Sequence, residues 1–309
     1  PALRRAPRPF RRRPPKTYRK KNKEGCPFFF YFAKTVDKRA EICYNQYMSY
    51  TFISGATGGI GKAFATLCAR KNYDLFLTGR SEEKLAALKS ELEAVNGGIK
   101  ILVRACQLTD EADRAALMAY ADGQGVKFER AINVAGVDIQ KAFSAYTTEK
   151  AQFQIRVNVE ATVTLTHRIM ERGAPLKEIV TVSSMSGVTP MPYFALYSAT
   201  KAALTAFFTA LRLEVKKEGV KVTVVLPGGV PTRPDIVKDI EGQGLWGKLS
   251  SKSPEYVAES SLKAVRKNKA ILVPGGFNKF LYFIMKLVPR GISMRFIANR
   301  WKKQTKDAF

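Results

Sequence analysis

Residues 50–61 read Tyr50-Thr-Phe-Ile-Ser-Gly55-Ala-Thr-Gly58-Gly59-Ile-Gly61, an apolar run followed at once by four glycines. The run Tyr50–Ser54 predicts a buried strand, and the apolar spacing of Ile60–Lys71 predicts a helix directly after it. Glycines at such a turn permit a tight bend and close approach of the backbone to a phosphate, which the start of a helix also attracts. The stretch therefore predicts a βαβ unit that binds a dinucleotide.

The chain after this unit continues to alternate strand and helix. Further strands are predicted at 74–78, 99–106, 130–134, 179–183, 221–226 and 270–273, and helices at 82–95, 111–122, 148–172, 197–218 and 254–267. Short connections in such an alternation indicate a parallel sheet with helices on both faces. Right-handed crossovers then give an α/β, doubly wound Rossmann-type sheet of about seven strands, whose site lies beyond the carboxyl ends of the strands.

One folded domain, residues 48–276, is predicted between two basic segments. The N-terminal segment, residues 1–47, carries fourteen Lys or Arg against three Asp or Glu, and the whole chain has a net charge of +26. This composition cannot build a core. Three interpretations remain open: a targeting or membrane arm, a nucleic-acid tail, or a segment upstream of a natural start at Met48. We expect no specific nucleic-acid binding by the folded domain.

The C-terminal segment, residues 277–309, mixes aromatic and basic residues around Pro289. It is too short and too charged to span a bilayer. It predicts two helices broken at Pro289, with an apolar stripe and a cationic rim. Two interpretations stay open: the tail binds peripherally to a membrane surface, or it packs on its own domain or across a dimer. The four dispersed cysteines fit a reducing cytoplasm, which is the expected location.

A second stretch, from Ser184 to Lys201, predicts the chemistry. Tyr197 and Lys201 are four residues apart at the start of a predicted helix, which puts both side chains on one face. An ammonium beside a phenol favours the phenolate and lowers the pKa of the phenol, so that Tyr197 can exchange a proton near neutral pH. Ser184 follows a buried strand and is predicted at its carboxyl end.

The second strand is followed by Arg80, at a position where an acidic residue would hold the ribose 2′-hydroxyl of NAD(H). A guanidinium fits a 2′-phosphate instead. Arg80 therefore predicts NADP(H) rather than NAD(H). The single histidine, His167, and the scattered cysteines form no spacing typical of a metal site, so no metal is expected.

Taken in order, these motifs resemble the short-chain dehydrogenase/reductase superfamily over about Tyr50–Pro274. The glycine motif of the family appears at Gly55–Gly61, and its Asn-Asn-Ala-Gly appears as Asn133-Val134-Ala135-Gly136. Asn158, Ser184 and the Tyr197-x-x-x-Lys201 pair match its catalytic positions. Its Pro-Gly-x-Val-x-Thr appears as Pro227-Gly228-Gly229-Val230-Pro231-Thr232. Two departures are Val134 and Gln107, which stand where the family has Asn and often Asp.

The resemblance implies hydride transfer between NADP(H) and a carbonyl or secondary alcohol. It assigns proton exchange to Tyr197. Lys201 would lower the pKa of the tyrosine and bind the nicotinamide ribose, and Ser184 would hydrogen-bond the substrate oxygen. Asn158 would hold a water that links Lys201 to solvent. The cofactor-binding residues that it implies are Gly55, Thr57, Gly58, Gly59, Ile60, Gly61, Arg80, Gln107, Leu108, Asn133, Ala135, Gly136, Tyr197, Lys201, Pro227, Gly228, Val230 and Thr232.

The segment of about 232–253 corresponds to the substrate lid of the family. Its apolar content, with that of the tail, predicts a lipophilic substrate such as a 3-oxoacyl compound or a steroid-like ketone. The resemblance also implies a homodimer or homotetramer that pairs through the helices at 148–172 and 197–218. The competing hypothesis is a non-catalytic Rossmann-fold protein that binds membranes or nucleic acid through its basic tails. A nucleotide-sugar epimerase is disfavoured by the short C-terminal part and the Asn-x-Ala-Gly motif.

Overall fold

The computed structural model describes residues 49–173 and 175–301. The basic extension and the last residues of the tail lie outside the described residues, so the three interpretations of residues 1–47 stay open.

The described residues form one parallel sheet of seven strands in the order β3-β2-β1-β4-β5-β6-β7. The strands are β1 (Ser49–Ser54), β2 (Asp74–Gly79), β3 (Ile101–Ala105), β4 (Lys127–Asn133), β5 (Glu178–Val182), β6 (Lys221–Val225) and β7 (Ile271–Leu272). The predicted doubly wound sheet is confirmed. Because β1 lies between β2 and β4, the winding reverses at β1, and a crevice opens beyond the carboxyl ends of these strands.

Helices cover both faces of the sheet. They are α1 (Gly59–Arg70), α2 (Glu82–Val95), α3 (Glu111–Gly123), α4 (Thr148–Ile155), α5 (Ala161–Glu171), α6 (Ala195–Glu214), α7 (Pro234–Gly242), α8 (Gly244–Ser250), α9 (Pro254–Arg266), α10 (Gly276–Leu287) and α11 (Arg290–Trp301). Several begin at the side chains that favour a helix start: Ser81 accepts the N–H of Lys84, and Ser253 accepts the N–H of Tyr256.

Alternate residues of the strands enter two different cores, one on each face of the sheet. Phe52 and Phe76 pack with Phe128 on one face, with ring centroids of Phe52 and Phe128 5.7 Å apart. Their neighbours Ile53 and Leu77 belong to the core on the other face. Burial on both faces explains why these strands appear in the sequence as continuous apolar runs.

The helix predicted over 148–172 is not uniform. A π-helical segment, Arg156–Glu160, separates α4 from α5 and contains Asn158. A π turn inserts one extra residue and redirects the side chains around it. The expectation of one regular helix is therefore corrected at the position of a predicted catalytic residue.

The connection expected as a loop between Thr232 and Ser253 is largely helical, because it folds into α7 and α8. The tail forms the two predicted helices, α10 and α11, and the break falls at Val288 and Pro289. Proline cannot donate a backbone hydrogen bond and restricts the residue before it, which ends α10 there. Within the described ranges, no helix is long and apolar enough to cross a membrane.

Candidate active site

A cavity of about 970 Å³ lies at the carboxyl edge of the sheet, beside the switch point. It is lined by every residue that the sequence predicted for the site except Asn133 and Asn158. The parallel strands explain this convergence, because their carboxyl ends meet at one edge although the motifs are far apart in the chain.

The glycine turn after β1 is packed so closely that side chains are excluded from it. Gly55 has φ +66°, and a Cβ on it would lie 2.8 Å from the backbone of Ala135. A Cβ on Gly61 would lie 2.1 Å from the carbonyl oxygen of Gly55, and one on Gly59 would lie 2.8 Å from Thr232. The turn thus brings bare backbone and the start of α1 to the cavity wall, an arrangement that fits a dinucleotide pyrophosphate.

Two cations line the cavity where β2 passes into α2. Arg80 is at the predicted position, and Lys84 lies one helical turn further. Lys84 was missed, although its spacing of four residues from Arg80 is visible in the sequence. Gln107 lines the same end, and its backbone N–H donates to Asp113 Oδ2 at 2.5 Å. This end of the cavity therefore carries positive charge that an anionic group of a ligand could meet.

Lys201 is buried, and its Nζ donates a hydrogen bond to the carbonyl oxygen of Val182 at 3.0 Å. The same Nζ lies 5.7 Å from the centroid of the Tyr197 ring. Burial lowers the pKa of Lys201 to about 8, and the negative charge of Asp138 acts in the opposite direction. Tyr197 and Lys201 share one face of α6, as predicted.

The pKa of Tyr197 lies above its ordinary value, which corrects the expectation that Lys201 would lower it. Burial is the largest cause and Asp138 adds to it, whereas a hydrogen bond with Ser184 and the charge of Arg233 act in the opposite direction. Desolvation disfavours the phenolate more than its neighbours favour it. In this structure Tyr197 is therefore a phenol, which is the form that gives a proton away.

Asn158 is buried behind the cavity wall, and its hydrogen bonds connect the loop after β4 with α6. Its Oδ1 accepts the N–H of Val137 at 2.7 Å, and its Nδ2 donates to the carbonyl of Val137 at 2.9 Å and to Thr200 Oγ1 at 3.0 Å. A Cβ on Gly136 would lie 3.3 Å from Asn158 Oδ1 and 3.2 Å from Lys201 Nζ. Asn158 thus positions the loop after β4 against α6, and its link to a water stays a prediction.

Asn133 is not at the cavity wall, which corrects its assignment as a cofactor-binding residue. Its Nδ2 donates to Thr166 Oγ1 at 3.0 Å and to Thr181 Oγ1 at 3.2 Å, and the side chain is buried. It ties β4 to α5 and β5, whereas Val134, the first residue after the strand, lines the cavity. The chain leaves the strand between these two residues, so they have different roles.

An ion pair that the sequence did not predict crosses the cavity wall. Arg233 Nη2 lies 3.1 Å from Asp138 Oδ1, and Arg233 Nε lies 3.3 Å from Asp235 Oδ1. Asp138 follows β4 and Arg233 precedes α7, so the pair joins the catalytic wall to the predicted lid. The partners are 95 residues apart in the chain, and no local pattern connects them.

The other end of the cavity is apolar and is built largely by the lid and the tail. It is lined by Phe153, Met191, Phe194, Ile236, Ile240, Trp246, Leu281, Ile284, Met285, Val288, Ile292, Phe296 and Ile297. The inner faces of α10 and α11 thus pack on their own domain, one of the two interpretations of the tail. Phe194, whose ring centroid lies 5.2 Å from that of Tyr197, lines this wall, whereas the neighbouring Tyr193 does not.

His167 is exposed beside Glu171, away from this cavity. Among the residues that the structure describes, no group of three His, Cys, Asp or Glu side chains could hold a metal ion. The groups that the site offers for binding and chemistry are therefore its glycine turn, its cations and its tyrosine–lysine pair.

A doubly wound sheet with a glycine turn and a Tyr–Lys pair at its switch point defines a nicotinamide-dependent oxidoreductase. A family model described as short chain dehydrogenase matches residues 49–240. The chain belongs to this family, whose members bind NAD or NADP and act on small molecules, and it is a dehydrogenase or reductase.

Known relatives match most of the chain. Dehydrogenase/reductase SDR family member 7B of Bos taurus is 28% identical over 267 residues, covering 82% of each chain. A very-long-chain 3-oxoacyl-CoA reductase of Pyricularia oryzae is 32% identical over 187 residues, or 59% of this chain and 56% of that protein. Such relatives place the chain among oxidoreductases without naming its substrate.

Solved structures share the fold. One from a study of 7beta-hydroxysteroid dehydrogenase stereoselectivity has a TM-score of 0.73 and 24% identity, covering 82% of this chain and 97% of that one. L-sorbose reductase of Gluconobacter frateurii, solved with NADPH and L-sorbose, has a TM-score of 0.66 and 23% identity, covering 74% and 96%. At these identities the likeness supports the fold alone.

Proposed function

We propose that the protein is an NADPH-dependent oxidoreductase that converts a carbonyl of a lipophilic substrate to a secondary alcohol, or performs the reverse reaction. One observation carries this proposal. Tyr197, Ser184 and Lys201 line the middle of a cavity that has cations at one end and an apolar wall at the other. The cationic end suits the cofactor phosphates, and the apolar end suits the substrate.

In the proposed mechanism, the glycine turn, Arg80 and Lys84 would hold NADPH, which when bound would supply the hydride for a carbonyl carbon. Ser184 donates a hydrogen bond to the substrate oxygen as negative charge develops on it. Tyr197 gives its phenolic proton to that oxygen, which completes the alcohol. The buried Lys201, when charged, stabilises the phenolate that remains. Asn158 keeps the loop after β4 against α6, so that these groups hold their positions.

Replacing Asp138 with Asn is expected to move the alkaline limit of ketone reduction to lower pH. Reduction needs Tyr197 protonated and Lys201 charged, so its rate falls as pH rises through their pKa values. Burial has the largest influence on both pKa values, and Asp138 raises both. Removing its charge therefore lowers both, and a pH profile of kcat/KM for Asp138→Asn measures the shift.

Asp235→Asn is the matched control, because it also removes a partner of Arg233. Asp235 does not contribute to the raised pKa of Tyr197 or to the lowered pKa of Lys201. Its alkaline limit is expected to stay at the wild-type position. An equal shift in both variants would show that the lid contact matters and that the charge of Asp138 does not.

Replacing Arg80 with Ala is expected to raise KM for NADPH by about tenfold to a hundredfold while changing KM for NADH little. Only NADPH carries the 2′-phosphate that Arg80 and Lys84 are proposed to bind. Lys89→Ala is the control, since Lys89 lies on α2, the helix that follows Arg80, is paired with Glu93 and does not line the cavity. A wild-type enzyme that prefers NADH would contradict the role of Arg80.

The substrate class is supported by the apolar wall and, more weakly, by relatives named as 3-oxoacyl-CoA reductases. A panel of 3-oxoacyl compounds, steroid ketones and small water-soluble ketones, each with NADPH and with NADH, tests it. The highest kcat/KM is expected with a long or polycyclic ketone. Reduction of short ketones alone would refute the lipophilic assignment and leave the reaction type standing.

We also propose a homodimer or homotetramer that pairs through α4, α5 and α6. This is supported by exposed apolar side chains on α4 and α6, namely Ile155, Phe207 and Leu213. Light scattering after size-exclusion chromatography tests it, and a monomer at micromolar concentration would contradict it. A purely non-catalytic role is disfavoured, since Ser184, Tyr197 and Lys201 are all present at one wall.

A further inference from the structure

The tail helix α10 carries large apolar side chains on the face that points away from the cavity. Phe280, Phe283 and Leu287 are 59%, 59% and 63% exposed. Their spacing of three and four residues places them on one stripe of the helix. None of them lines the cavity.

The neighbouring face of α10 is also apolar, and it builds the cavity wall through Leu281, Ile284 and Met285, with Val288 directly after the helix. An apolar surface this wide on one helix is normally buried over its whole width. The described residues cover only the part that lines the cavity. Within the described part of the chain, the outward stripe is left without a cover.

The lid helix α8 lies beside α10 and extends the same surface. The rings of Trp246 and Phe277 are 5.1 Å apart at their centroids, and Asn278 Nδ2 donates to the carbonyl oxygen of Ser250 at 2.8 Å. Leu245 and Leu249 of α8 are exposed. We call the outward apolar residues of α8, α10 and α11 the apolar face.

The cavity opens within the apolar face. Trp246 of α8 and Ile292 and Phe296 of α11 line the cavity and are also exposed, so they stand at its mouth. A substrate that enters there passes between apolar side chains before it reaches Tyr197. An entrance of this kind suits a molecule that is already out of water.

The charged side chains on the three helices of the apolar face have one sign. Residues 260–306 contain twelve Lys or Arg and no Asp or Glu, and α8 contains Lys248 and no acid. Lys279, Lys286, Arg290 and Arg295 are exposed on α10 and α11. Long basic side chains can extend along an apolar surface and place their charges at lipid headgroups. A second copy meeting this face would bring like charges together, which disfavours self-pairing.

We propose that α8, α10 and α11 dock the protein on an anionic lipid bilayer, with the cavity mouth facing the lipid, so that the lipophilic substrate enters directly from the membrane. The apolar residues insert at the boundary of headgroups and acyl chains, and the cations bind the headgroups. This proposal adds membrane docking to the proposed function, and it rests on that function only for the identity of the substrate.

The test compares the full chain with the triple variant Phe280→Ser/Phe283→Ser/Leu287→Ser. Flotation is measured with vesicles of phosphatidylcholine alone and of phosphatidylcholine mixed with phosphatidylserine. The wild type is expected to float with the anionic vesicles and to be released by salt. The triple variant is expected to lose at least about tenfold in partitioning, since apolar insertion and charge act together.

Val95→Ser is the matched control, because Val95 is an exposed apolar residue at the end of α2, at the opposite edge of the sheet. It is expected to float like the wild type. Equal flotation of the triple variant and the wild type would overturn the docking proposal. A wild-type dimer that the triple variant converts to monomer, without flotation of either, would overturn it in favour of self-pairing.

Activity separates this proposal from the proposed function. The triple variant is expected to keep the wild-type kcat/KM with a water-soluble ketone and to lose at least about tenfold with a lipophilic ketone presented in anionic vesicles. If the wild type and the triple variant reduced the vesicle-borne ketone equally well, the proposal that the substrate enters from the lipid would be refuted. Failure of the wild type to reduce any ketone would contradict the proposed function, while flotation would still decide the docking.

Discussion

Replacing Tyr197 with Phe is expected to lower kcat for ketone reduction by about 10²–10⁴-fold, because the variant has no proton to give to the nascent alkoxide. The ring and its contact with Phe194 are retained, so the fold and the apolar wall should persist. Affinity for NADPH is expected to change little. Steady-state kinetics and a fluorescence titration of NADPH measure the two effects separately.

Tyr193→Phe is the control for this experiment. Tyr193 lies four residues earlier and does not line the cavity, so the loss of its hydroxyl should leave kcat at the wild-type level. If Tyr197→Phe retained full turnover of a ketone, the proposed mechanism would be refuted. An equal loss in both variants would indicate a structural effect in this segment.

Replacing Gly61 with Ala is expected to lower the stability of the protein by about 3 kcal/mol or more, at the upper end of the cost of overpacking. The added Cβ would lie 2.1 Å from the carbonyl oxygen of Gly55, and a backbone atom cannot move aside as a flexible side chain can. For a domain of this size, about 3 kcal/mol corresponds to a fall in Tm of roughly 10 °C. NADPH affinity should also fall, because α1 must shift away from the turn.

Gly123→Ala provides the comparison. Gly123 ends α3, and a Cβ placed on it meets nothing within 4 Å. Alanine is the better helix former, so Tm should stay the same or rise slightly. Differential scanning calorimetry of both variants, with and without NADPH, measures the contrast. A Gly61→Ala protein as stable as the wild type would show that the turn can relax, contrary to the packing described here.

Much of the fold was predictable because its signals are local. The apolar run Tyr50–Ser54 followed by glycines became β1 and the turn into α1, within one residue of the predicted bounds. Burial on both faces makes such strands continuously apolar, whereas in the helices between them apolar residues recur at the helical spacing. Regular alternation then leaves few topologies, of which the doubly wound sheet is the one observed.

The sequence also predicted which residues would line the cavity, with exceptions that have a physical cause. Asn133 is the last residue of β4 and Val134 is the first residue after it, so only the second lines the cavity, and the motif alone assigned the wrong one. Asn158 lies in a π turn, which no local sequence pattern predicted. Its contacts with Val137 and Thr200 depend on how the long helix is displaced there.

Spacing alone determined that Tyr197 and Lys201 share a helix face and that a glycine turn opens the domain, because both follow from local backbone geometry. Only the tertiary structure decided the pKa values of that pair, since they depend on burial and on Asp138, a charge from another part of the chain. Tertiary packing likewise decided that, within the described residues, the tail lines the cavity with part of its apolar surface and leaves Phe280, Phe283 and Leu287 exposed. Burial, electric field and shape are properties of residues brought together from distant positions, and no local pattern in the sequence carries them.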